Sequence, residues 1–169
     1  MAEDKNMEDS VEKAKNKETM SGLRELAFNT KFANFQKFNP IGDYGIYGVI
    51  MEMGYPQACV TLACFITGDA SIYFSSGGGM MGGVGRETVK NASLNFVRST
   101  LNFITNFKKT DEHFLPQAGE TIFYILTKDG LYFAEALTND FKTKTHVLRP
   151  LFAAGQEVIT AYRLLDQKK

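Results

Sequence analysis

One stretch limits the possible folds more than any other. Ala58 to Thr67, ACVTLACFIT, carries apolar side chains at both odd and even positions. In an extended segment Val60, Leu62, Cys64 and Ile66 share one face, while Cys59, Ala63 and Phe65 share the other. A strand that is apolar on both faces needs cover on both. Gly68-Asp69 then turns the chain into Ala70 to Ser75, ASIYFS, the second arm of a tight hairpin.

The neighbouring segments extend this pattern. Tyr44 to Met53 alternates Tyr47, Val49, Met51 and Met53 against Ile46, Gly48, Ile50 and Glu52, and Gly54-Tyr55-Pro56 marks a turn. Thr121 to Thr127 and Leu131 to Leu137 flank Lys128-Asp129-Gly130, the signature of a second hairpin. Three helices are predicted. Leu23, Leu26, Ala27, Phe28, Phe32 and Phe35 give a helical stripe after Thr19 or Ser21 as cap, ended by Asn39-Pro40. Val89, Ala92, Phe96, Val97, Leu101, Ile104 and Phe107 mark an amphipathic helix over residues 86–107. Leu151, Phe152, Val158, Ile159, Tyr162 and Leu165 mark a last one over residues 150–165, with Pro150 at its first position. The expected fold is α+β, in the order α-β-β-β-α-β-β-α. A single antiparallel sheet of about five strands in two hairpin groups has helices on both faces, the middle helix on one and the terminal helices on the other.

Residues 1–18 alternate acids, lysines and asparagines, with Met1, Met7 and Val11 as the larger apolar groups. They read as a flexible charged tail, because they bury too little to offset their ordering entropy, and residues 19–169 read as one domain. Lysine plus arginine and aspartate plus glutamate each number 19, for a net charge of zero. That balance argues against nucleic-acid binding through phosphate neutralisation. Apolar runs fall short of the roughly 18 residues of a membrane helix, and no charged-then-apolar leader is read at the start. A cytoplasmic protein with neither membrane nor nucleic-acid partner is expected. Cys59 and Cys64 lie an odd number of positions apart on one strand, so they face opposite ways and cannot bridge.

VTLACFITGDASIYFSSG resembles the opening hairpin of the roadblock/LC7 family and its profilin- and longin-like relatives, with an acidic-glycine turn. FYILTKDGLYFAEAL is similar to a later hairpin of that family, and a closing helix follows. The resemblance covers residues 57–165 by element order. It differs in the strand at Tyr44 to Met53 and in having two strands after the middle helix where the family has three. It implies a non-catalytic module that dimerises and binds partners such as small GTPases or scaffold subunits.

The unusual local sequence is the glycine tract of residues 77–85, between the first hairpin and the middle helix. Gly77-x-Gly79-x-x-Gly82 matches the spacing of a dinucleotide fingerprint. That fingerprint needs a parallel strand-helix-strand unit and an acid about 20 residues on. Here the strand is a hairpin arm and the position holds Asn102 and Phe103. No Gly-Lys-Ser/Thr follows, so it is no P-loop either. Two uses remain for Gly79, Met80, Met81, Gly82, Gly83, Gly85 and Arg86. Glycines permit close packing and the methionines offer apolar contacts to a partner or second copy. Alternatively, backbone amides and Arg86 cradle a small anion such as a phosphate at the helix start.

Other chemistry is sparse. His113 and His146 read as isolated, and Asp111-Glu112-His113 as solvated charge, so no metal site is expected. Asp69 and Asp129 are turn residues. Glu52 and Glu135 interrupt apolar strands, so either is a candidate pocket carboxylate, with an outward face or edge as the favoured position for each. Ser75-Ser76 lack a nucleophile elbow, and buried Cys59 and Cys64 would be inert. Gly155 inside the last helix either allows close helix-to-sheet approach or floors a pocket. The resulting expectation is an interaction module, a homodimer contacting through residues 77–85, with no cofactor and no assembled catalytic set. The alternative is an anion-binding protein or enzyme.

Overall fold

The computed structural model describes residues 2–167. Seven strands form one antiparallel sheet: β1 (Gly48–Tyr55), β2 (Ala58–Phe65), β3 (Ala70–Phe74), β4 (Gly79–Met81), β5 (Lys108–Thr110), β6 (Glu120–Thr127) and β7 (Gly130–Leu137). Their order across the sheet is β4-β3-β2-β1-β6-β7-β5. Three helices complete the α+β chain: α1 (Ala2–Phe28), α2 (Glu87–Ser99) and α3 (Arg149–Asp166).

The expectation of about five strands is corrected to seven, and three strands rather than two follow α2. Both additions are three-residue edge strands, too short to show an alternation. Gly79-Met80-Met81 has weak strand propensity and exists because β3 offers an open edge, pairing Ile72 with Met80. Lys108-Lys109-Thr110, just past the predicted end of the middle helix, pairs with Phe133, Tyr132 and Leu131 of β7. Lysines on an edge also discourage pairing with another chain.

Helix ends move as well. α2 stops at Ser99 and decays into 3-10 turns at Thr100–Asn102 and Ile104–Asn106. There the Ser99 and Thr100 hydroxyls donate to the Phe96 and Val97 carbonyls, competing with the helical ladder. α1 ends at Phe28 and gives way to 3-10 turns at Phe32–Asn34 and Gln36–Phe38. Its other end reaches back to Ala2, so Thr19 lies inside the helix, its hydroxyl on the Lys15 carbonyl, and is no cap.

Alternation along β1 assigns the faces. Met51 lies against Gly155 of α3, and a Cβ there would stand 2.7 Å from the Met51 Cε and 3.2 Å from Phe96 of α2. The next residue, Glu52, points the other way and meets Arg24 of α1. Hence α2 and α3 pack together on one face and α1 on the other, which corrects the pairing of terminal helices on a shared face. Gly155 serves close helix-to-sheet approach. Tyr162 ties α3 down further, its hydroxyl donating to the Ala70 carbonyl.

Candidate functional site

The α1 face of the sheet carries a buried charge. Glu52, Thr61 and Ser71 are all buried there, and Glu52 is 0% exposed. Glu52 stands in the central strand β1, with Thr61 directly opposite on β2 and Ile122 opposite on β6. An unpaired carboxylate at such a position would be costly. The structure satisfies it with three donors. The Thr61 hydroxyl donates to Oε1 at 2.7 Å. Arg24 forks across both oxygens, Nε to Oε1 at 2.6 Å and Nη2 to Oε2 at 2.8 Å. Glu52 therefore faces inward, which corrects its expected outward or edge position. Glu135 of β7 is exposed and borders a cleft of about 360 Å³ beside His146.

Arg24 has every N–H engaged. Beyond the Glu52 fork, Nη2 donates to the Phe114 carbonyl at 3.4 Å, and Nη1 contacts Glu25 Oε1 at 3.2 Å and His113 Nδ1 at 3.1 Å. A guanidinium has five donors, and here they find five acceptors. The Arg24 Cζ also sits over the Phe28 ring, 4.8 Å from the centroid. Burial works against the Arg24 charge, but the Glu52 hydrogen bond and the charges of Glu52 and Glu25 outweigh it, and its pKa is raised.

His113 belongs to the same cluster and is not isolated. Its ring stacks on Phe28 at 4.0 Å and 9°. The tautomer that accepts from Arg24 at Nδ1 carries its proton on Nε2, which faces Glu25 Oε2 at 3.6 Å. Beyond His113 lies a cleft of about 310 Å³, bordered by Phe28, Tyr47, Asp111, Thr127 and Leu131. The loop that carries His113 and Phe114 is pinned to the sheet from below. The Tyr124 hydroxyl donates to the Phe114 carbonyl at 2.8 Å and accepts from the Phe114 amide at 3.0 Å. Burial, with the charge of Glu52, pushes that phenol up to about 12. At the loop's far end Gly54 allows contact so close that a Cβ would stand 1.9 Å from the Gln117 carbonyl oxygen.

The glycine tract between the first hairpin and α2 divides into a turn, a short strand and a 3-10 turn. Gly77 and Gly78, both at positive φ, turn the chain out of β3. Gly79, Met80 and Met81 are strand β4, where a Cβ on Gly79 would meet the Ile72 carbonyl oxygen at 2.3 Å. Met80 packs on the core and Met81 is exposed. Gly82 takes a left-handed conformation, and Gly83 is buried against Ala70 and Val89. Gly85 has open space around its Cα. Arg86 is the residue before α2, with no side-chain cap on that helix, and its guanidinium lies 6.0 Å from the Tyr162 ring.

The opposite face of the molecule carries a groove. It runs along α3, with Thr88 of α2 and Phe141 beside it, and has a volume of about 660 Å³; Phe152, Ala153, Ala161, Leu164 and Leu165 line it together with polar Arg149, Gln156, Glu157 and Thr160. Phe141 and Phe152 stack at 4.4 Å in its wall.

Reactive groups are muted. Burial, with the Glu52 charge, pushes the Cys59 thiol up to about 11, and burial pushes Cys64 up to about 12. The two cysteines face opposite sides of the sheet, Cys64 against Ser93 of α2 and Cys59 on the Glu52 side. Among the described residues no three His, Cys, Asp or Glu side chains are grouped to hold a metal ion, and no helix is long and apolar enough to cross a membrane. Sequence reading missed Arg24, because it stands among the stripe residues of α1 and its partner is 28 positions away. In comparisons with known proteins, no family model, curated protein or solved structure matches the chain.

Proposed function

We propose that this protein is a non-catalytic interaction module, homodimeric and cytoplasmic, that binds protein rather than nucleic acid or membrane. The observation that carries this reading is the groove along α3, with its exposed apolar residues. Leu164 stands 53% exposed on its wall, and exposed apolar grooves of this kind take apolar side chains or a helix from a partner. Met81 and Val84, exposed beside the start of α2, offer a second apolar contact. The resemblance of residues 57–165 to the roadblock/LC7 family supports the same reading, with that family's dimerising habit as part of the proposal.

Light scattering across a concentration series tests it. The wild type should weigh as a dimer, and Leu164→Glu should weigh as a monomer with an unchanged circular dichroism spectrum. A wild type that stays monomeric at every concentration sinks the homodimer.

A second reading draws on the uncapped amino end of α2, where amides of residues 82–85 and Arg86 would hold a small anion. It requires a thermal shift with phosphate or a carboxylate that Arg86→Ala removes.

A further inference from the structure

We infer that the Glu52–Thr61–Phe114–His113 cradle is a guanidinium-binding site, which Arg24 of α1 fills as a tethered occupant and which an arginine supplied from outside can fill in its place. Of the five acceptors around Arg24, four come from outside α1: both Glu52 oxygens, the Phe114 carbonyl and His113 Nδ1. Three of them, the two Glu52 oxygens and the Phe114 carbonyl, are fixed without the help of α1, whereas His113 leans on Phe28 and Glu25 of α1 itself. Glu52 is held by β1 and by the Thr61 hydroxyl. Phe114 is clamped through both its amide and its carbonyl by Tyr124, and the loop end closes on Gly54, whose carbonyl accepts from the Gly119 amide at 2.9 Å. The receptor is thus built into the sheet, and its geometry matches one chemical group. A carboxylate fork in line with a carbonyl suits the planar guanidinium and not the point charge of an ammonium.

The occupant, by contrast, sits on a helix that is exposed over much of its length before Arg24. Side chains 10–19 of α1 are all exposed. Its apolar anchors, Met20, Leu23, Ala27 and Phe28, all lie within two turns of Arg24. If α1 lifts, Glu52 is left as an uncompensated carboxylate at the middle of the sheet, a strong demand for a cation of the same shape. The inference is independent of the α3 groove, which lies on the other face.

Chemical rescue tests it on the full chain. Arg24→Ala should melt well below the wild type. Ethylguanidinium at about 20 mM should then raise its melting temperature by several degrees, as any ligand of the folded state does. Ethylammonium should not, and neither additive should raise the wild type or Arg24→Ala/Glu52→Gln. If Arg24→Ala does not stay folded, its refolding yield with ethylguanidinium against ethylammonium gives the same reading. A peptide of residues 16–28 and free L-arginine form two further arms. A response to the peptide alone assigns the site to arginine on a polypeptide, and a response to both assigns it to the guanidinium group itself. Equal responses to ethylguanidinium and ethylammonium, or a rescue that persists with Glu52→Gln, would overturn the inference.

Discussion

The Arg24 guanidinium and the Glu52 carboxylate form a two-pronged ion pair, 2.6 and 2.8 Å long, that joins α1 to the central strand of the sheet. Glu52 is entirely buried and the Arg24 side chain is 12% exposed. Such a pair adds little net stability over well-packed apolar residues, but removing one partner strands the other. Arg24→Ala is therefore expected to cost about 3–5 kcal/mol in urea unfolding. The triple replacement Arg24→Met, Glu52→Leu, Thr61→Val should cost far less. A triple variant no more stable than Arg24→Ala would show that the pair is not what makes the single change expensive.

Gly54 couples the sheet to the loop above that pair. A Cβ there would press on a backbone oxygen, which cannot swing aside as a side chain can. Gly54→Ala should displace residues 111–119, cost about 1–3 kcal/mol, and speed amide exchange at Phe114. Unchanged exchange at that amide would mean the loop is held by Tyr124 alone.

On the other face, Gly155→Val is expected to destabilise by about 1–3 kcal/mol through overpacking against Met51 and Phe96. Shortening the neighbour should help, so Gly155→Val with Met51→Ala should recover part of the loss in thermal melts. No recovery would place the cost in helix propensity instead.

Tyr162 donates to the Ala70 carbonyl from a fully buried position. Tyr162→Phe leaves that carbonyl without its side-chain partner, and a loss of about 1–3 kcal/mol is expected in denaturant unfolding. A neutral outcome would mean that the oxygen finds another donor.

Alkaline stability should follow the buried thiols and phenols. Burial raises Cys59 from 9.0 to about 11, Cys64 from 9.0 to about 12, and Tyr124 from 10.0 to about 12. The folded chain thus keeps protons that the unfolded chain releases. The associated stability is fully present below pH 9 and declines as pH rises from there through about 12. Urea midpoints between pH 8 and pH 11 should fall, and less so in Cys59→Ala/Cys64→Ala. At neutral pH both thiols should react with a thiol reagent only on unfolding; rapid reaction in the native protein would contradict their burial.

The central strands and two of the hairpins are legible in local pattern. Apolar residues on both faces of Ala58 to Thr67 demand two covering layers, and the structure supplies α1 on one side and α2 with α3 on the other. Lys128-Asp129-Gly130 does make the turn between β6 and β7, and Pro150 does stand in the first turn of α3. These features depend on neighbours within a few residues, which the sequence displays directly.

Non-local partners decided the rest. β4 and β5 became strands because β3 and β7 left open edges beside them, not because Gly79-Met80-Met81 or Lys108-Lys109-Thr110 favours extension. The inward turn of Glu52 depended on which face α1 came to cover, and Arg24 and His113 met it from 28 and 61 positions away, His113 through Arg24. By itself the sequence determined alternation, turns and helical stripes, since each follows from steric preference and periodic burial along a short run of chain. Tertiary structure alone determined the edges and the buried ion cluster, since a charge enters a core only where distant donors are brought together to replace its water.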